Sequence, residues 1–184
     1  MDPKRYLRAR SAHPTDASLD ATDPLHLREC LGTFATGVAI ITAQAPDGSF
    51  IGLTANSFNS LSLTPPLVLW SLGTRSGSLE AFIAASHFSV NVLSAAQVEL
   101  ALRFSRQGVN RFAGVPLHAG LGGAPLIDGA IGWFECETQS HARYGDHVLF
   151  IGAVRRCART GGNGLVFHHG GYRVADTLPP EPSA

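Results

Sequence analysis

Residues 52–70 read GLTANSFNSLSLTPPLVLW. Thr54, Asn56, Ser57, Asn59, Ser60, Ser62 and Thr64 crowd short hydrogen-bonding side chains into a segment that then passes through Pro65-Pro66 into an apolar run. Hydroxyl and amide groups of this kind carry no charge, and the chemistry they serve is recognition of a ligand whose rim presents neutral donors and acceptors. A few residues further on, 73–78 read GTRSGS ahead of a helix-like run. Ser76 and Ser78 at a helix start, with Arg75 beside them, combine hydroxyls, free backbone amides and a guanidinium, which together suit a phosphate. Serine and threonine at strand ends are also ordinary turn formers. Two such stretches flanking one strand point to a phosphorylated heteroaromatic cofactor.

Other chemistries lack their residues. There is no GxSxG, no phosphate loop of the GxxxxGK type and no pair of carboxylates with an evident shared site. The eight histidines are spread along the chain, and the adjacent pair His168-His169 would point to opposite faces of a strand, so no metal site is expected. Lysine plus arginine equals aspartate plus glutamate at 14 each, so charge calls for neither nucleic acid nor an anionic membrane. Cys30, Cys136 and Cys157 have no CxxC spacing and are expected as reduced thiols of a cytoplasmic protein. No apolar run approaches the roughly 18 residues of a membrane span, and residues 1–23 lack the apolar centre of a signal peptide.

These groups must be positioned by one core, since 184 residues with 45% hydrophobic content suffice for a single domain. Residues 1–22 show no period and are expected to be a flexible leader, 177–184 a flexible tail, and 23–176 the folded domain. Asp23-Pro24 caps and starts a helix with Leu25, Leu27, Leu31 and Phe34 available for an apolar stripe. Strands are expected over 38–44 and 49–54, joined as a hairpin by Pro46-Asp47-Gly48, then over 66–72 and 87–93. Short helices are expected over 76–85 and over 94–106, the latter capped by Ser94. Three further strand segments fall at 130–145, 146–159 and 164–174. Many strands with two or three short helices favour a closed or partly closed antiparallel barrel, which removes sheet edges. Trp133 and Phe134 read as core.

The chain resembles the flavin reductase-like proteins, FMN-binding split barrels that serve as reductase components of two-component flavin-dependent monooxygenases. The resemblance runs from about Pro24 to Val174 and rests on TFATGVAIITA, GLTANSFNSLSLTPPLVLW, HFSVNVL with Gln97, RFAGV, APLIDGAIGWFECE, YGDHVLFIGAV and GLVFHHGGYRV. It implies a mainly β fold, a six-stranded split barrel with extra helices, a homodimer with flavin near the subunit interface, and an oxygenase component as partner. It implies FMN or FAD as flavin and NADH or NADPH as reductant. Thr54, Ala55, Asn56, Ser57 and Ser60 match the segment that addresses the flavin ring and ribityl chain. Arg75, Ser76 and Ser78 match the phosphate segment. Arg111 and Phe112 are either a closure over the flavin phosphate from the second subunit or an ordinary surface arginine beside a core phenylalanine. His147 matches the histidine beside nicotinamide and flavin, with Gly145 and Asp146 positioning it, against the plain reading of a strand histidine. Tyr172 matches the aromatic of the closing stretch, where His169 and Gly171 replace frequent basic residues. A non-catalytic or electron-transfer flavoprotein of the same barrel is the alternative function.

Overall fold

The computed structural model describes residues 21–176, so most of the expected leader and all of the expected tail lie outside the described residues. The chain enters through α1 (Pro24–Leu31), where the Asp23 carboxylate accepts from the Leu25 N–H at 2.9 Å and Gly32 forms the C-cap. The expected apolar stripe does not pack inward. No residue of α1 is buried, and Leu25, Leu27, Leu31 and Phe34 face outward.

The strands follow as β1 (Thr36–Gly37), β2 (Ala39–Gln44), β3 (Phe50–Ala55), β4 (Asn59–Leu63) and β5 (Pro66–Gly73). After α2 (Leu79–Ala84) and β6 (His87–Val92), a 3-10 turn over Ala95–Gln97 leads into α3 (Val98–Ser105). Ser94 and Gln97 close a reciprocal capping box at that turn. β7 (Leu117–Ala119) and β8 (Pro125–Ile127) form a small ribbon, and β9 (Gly132–Tyr144) and β10 (His147–Arg159) form a long hairpin. The segment expected as one closing strand is two, β11 (Leu165–His168) and β12 (Gly171–Val174), because His169 at φ 48° and Gly170 at φ 71° reverse the chain.

The main sheet is antiparallel throughout, in the order β3-β2-β6-β9-β10-β5-β4, and β1-β11-β12 form a second sheet. The ladders do not close a barrel. β3 and β4 are the two ends of the sheet, yet only Asn56, Ser57 and Phe58 separate them in sequence. Four chain steps span at most about 14 Å, so the sheet curls until its ends are neighbours. The core inside the curl centres on Trp70, stacked on Phe150 at 4.4 Å between centroids and met edge-on by Phe82 and Phe88 at 5.0 and 5.8 Å. Phe134 packs against this core, as expected, and Trp133 is partly buried with its indole N–H given to the Ile127 carbonyl at 2.9 Å. No helix among the described residues is long and apolar enough to cross a membrane.

Candidate functional site

The polar stretch is the seam of the curled sheet. Ser57 sits in the link from β3 to β4, and its hydroxyl accepts from the Ser71 N–H and donates to the Ser71 carbonyl, each at 3.0 Å, pinning the seam to β5. Thr54 donates its hydroxyl to the Ala101 carbonyl at 2.6 Å, fixing β3 to α3. Beside this seam lies an open cavity of about 130 Å³ lined by Val38, Thr54, Asn56, Phe167 and Tyr172. Phe167 and Tyr172 on its far wall are opposite each other in the second sheet, where Thr36 in turn stands opposite Phe167. Burial pushes the Tyr172 phenol above its ordinary range, so it stays protonated.

Two residues beyond Ser71, β5 ends at Gly73, which faces His147 in the ladder. The chain then turns through Thr74 and Arg75. The Thr74 N–H donates to the Asp146 backbone carbonyl at 2.8 Å, the Ser76 N–H to Gly73 at 3.0 Å, and the Ser78 N–H to the Ser76 hydroxyl at 3.3 Å. Ser78 is the N-cap of α2 and makes no side-chain cap bond. At six residues α2 has a weak dipole, so anion affinity here falls to the Arg75 charge and the serine hydroxyls.

At the adjoining hairpin tip, Gly145 at φ 59° permits the tight turn, and the Asp146 carboxylate meets Nδ1 of His147 at 2.8 Å. The bond to His147, its charge, and then Arg75 hold the Asp146 carboxyl below the usual carboxylate range. An ionised carboxylate only accepts, so Nδ1 of His147 carries a proton and Nε2 is the ring atom left for another partner. That atom lies beside Gly73, where a Cβ would stand 3.8 Å from it.

Thr54, Asn56 and Tyr172 therefore share one cavity, Ser57 joins them to β5, and the end of β5 carries the chain to Arg75, Ser76, Ser78 and His147. Other expected residues stand apart. The Ala55 side chain is buried in the core opposite Ala39, leaving only its backbone for a ligand. Ser60 is exposed on the edge strand β4. Arg111 is a strut: its Nε and Nη2 donate to Arg106 and its Nη1 to Gly52, all backbone carbonyls, at 2.9, 2.6 and 2.8 Å. Phe112 packs edge-on against Phe104 at 5.0 Å. Val38 and Phe167 on the cavity wall were not singled out by the sequence, since apolar residues in strands carry no ligand signal. A second cavity of about 440 Å³, lined by Trp133, Glu135, Arg156 and Cys157 among others, lies towards the other end of β10. Its Glu135 and Arg156 are paired with each other at 2.5 Å.

A curled antiparallel sheet whose seam offers neutral hydrogen-bonding groups, next to a loop carrying arginine and serine, has the chemistry that suits a phosphorylated planar ligand. The chain belongs to the flavin reductase like domain family, whose pattern matches residues 31–176. It is 43% identical over 150 residues to a probable flavin reductase of Rhizobium meliloti (strain 1021), covering 82% of this chain and 48% of that protein. It is 40% identical over 153 residues to the stachydrine N-demethylase reductase subunit Stc3 of the same organism, covering 83% of this chain and 66% of that one. The chain thus spans about half the length of the first relative and two thirds of the second. Among solved structures, the NADH:FAD oxidoreductase SgcE6 of Streptomyces globisporus, in complex with NAD and FAD fragments, superposes with a TM-score of 0.80 at 36% identity, covering 89% of this chain and 98% of that one.

Proposed function

We propose that the protein is an NAD(P)H:flavin oxidoreductase that reduces FMN or FAD and supplies reduced flavin to a partner monooxygenase. The observation that carries this reading is the continuity along β5. Ser71 is bonded to the Ser57 seam, Gly73 faces His147, and the next two residues reach Arg75. The residues fit the group: neutral groups face a flavin rim, a cation and two hydroxyls face its phosphate, and a buried hydroxyl on Thr36 lacks any partner.

Bound flavin supplies the hydride-accepting centre. Asn56 and the backbone of 54–57 would hold the ring, and hydrogen-bond donors at its rim would favour the negative charge of the reduced form. Arg75, Ser76 and Ser78 hold the phosphate. Asp146 fixes the His147 ring through Nδ1 and leaves Nε2, beside Gly73, to meet a nicotinamide, so that the protein would contribute orientation. Ser60, exposed on the edge strand, and the Ala55 backbone would meet the ligand only where a ribityl chain runs along the seam. Arg111 and Phe112 support this wall through Gly52 and Phe104.

In the same reading the curled sheet is a split barrel whose seam is the cofactor site. The protein is a homodimer, since α1 leaves Leu25, Leu31 and Phe34 69%, 65% and 71% exposed, a surface that a second copy would cover. Three free cysteines accord with a cytoplasmic setting. The relative named as the reductase subunit of a demethylase supports a second component that takes the reduced flavin. Anaerobic mixing of the protein, FMN or FAD, and NADH or NADPH tests the reading: the flavin's visible absorbance should bleach at a rate set by protein concentration. Tight flavin binding without bleaching would favour an electron-transfer flavoprotein instead.

A further inference from the structure

We propose that Thr36 is a further cofactor-binding residue, whose hydroxyl bonds an amide-type edge of the flavin ring in the cavity bounded by Val38, Phe167 and Tyr172. The inference rests on the flavin reading above. Thr36 Oγ1 is shut off from solvent and has no hydrogen-bond partner. Buried hydroxyls are nearly always paired, so an unmet one calls for an explanation.

Its position supplies one. Thr36 stands opposite Phe167 and Phe167 opposite Tyr172, and residues opposite each other in a ladder share a face. Phe167 and Tyr172 both line the cavity, as does Val38, two residues along from Thr36. The hydroxyl thus belongs to the cavity side of the second sheet. Thr54, on the facing wall, has committed its proton to Ala101, which leaves Thr36 as the threonine there with both donor and acceptor capacity unspent. The Phe167 and Tyr172 rings on that same face stand 5.4 Å apart and edge to face. Tyr172 lies on the four-residue edge strand β12, which pairs with β11 alone. The other buried orphan among the described residues, Trp70 Nε1, belongs to a side chain enclosed by Phe82, Phe88 and Phe150 in the aromatic core.

The test pairs stability with affinity in Thr36→Val, which keeps the shape and removes the hydroxyl. The flavin-free variant should melt about 2–4 °C higher, because an unpaired buried polar group is gone. Its Kd for FMN should rise about ten-fold, equal to about 1.4 kcal/mol, and its Kd for riboflavin equally, since the ring and not the phosphate is addressed. Thr36→Ser should stay within about three-fold of wild type. A lower melting temperature for the flavin-free Val variant, or an unchanged flavin Kd, would overturn the proposal. A loss confined to NAD⁺ binding by the flavin complex would overturn it too, by assigning the hydroxyl to the nicotinamide amide. Wild-type protein that binds neither flavin would defeat the flavin reading itself, whereas wild type that binds flavin beside an indifferent Val variant defeats this inference alone.

Discussion

Asp146 faces two ways: its carboxylate holds Nδ1 of His147 at 2.8 Å, and its backbone carbonyl holds the N–H of Thr74, next to Arg75. One exposed residue thereby ties the ring proposed to border the nicotinamide to the loop that would carry the phosphate. The same loop yields a selective prediction. Arg75→Ala combined with Ser76→Ala should weaken FMN binding by roughly 2–4 kcal/mol, at about 1–3 for each charge-assisted bond lost. Riboflavin has no phosphate and should bind as before. Fluorescence titrations with both flavins decide it, and equal losses would remove the phosphate from this loop.

At the level of elements, the seam between β3 and β4 depends on small struts. Arg111→Ala deletes two bonds to the Arg106 carbonyl, which brace the segment after α3, and one to the Gly52 carbonyl, which ties that segment to β3. Unfolding free energy should fall by about 2–3 kcal/mol, and FMN and riboflavin affinities should fall together if they fall at all. A loss specific to FMN in calorimetry would instead place Arg111 on the phosphate. Strands with an alternating or apolar pattern, such as β2, β5, β6 and β10, were legible in the sequence because burial imposes that pattern. β4 was not: NSLSL lies at the sheet edge, where its serines and Asn59 meet solvent and give no core signal. The break between β11 and β12 was hidden because His169 adopts a left-handed conformation usually marked by glycine. α1 showed the cap and the apolar residues, but a stripe tells that a face wants covering and not what covers it. The seam residues were legible as types. Thr36 was not, since nothing in its type distinguishes a paired hydroxyl from an orphan.

For the whole molecule, the uncovered face of α1 is the feature a lone chain leaves unexplained. Covering a largely exposed leucine or phenylalanine is worth about 1.5–3 kcal/mol, so Leu31→Asp with Phe34→Asp should turn a dimer into a monomer by light scattering. A wild-type monomer would contradict the dimer. In the proposed function this fold brings a nicotinamide and a flavin together beside His147. Steady-state oxidation of NADH with free FMN or FAD, run beside flavin titration for wild type and His147→Ala, tests it most directly. Wild type should accelerate NADH oxidation, and the variant should lose about ten-fold or more in kcat/KM, roughly 1.4 kcal/mol in the transition state, while its Kd for oxidised flavin barely changes. Wild-type protein that binds flavin without speeding NADH oxidation, or a His147→Ala loss wholly accounted for by weaker flavin binding, would contradict it.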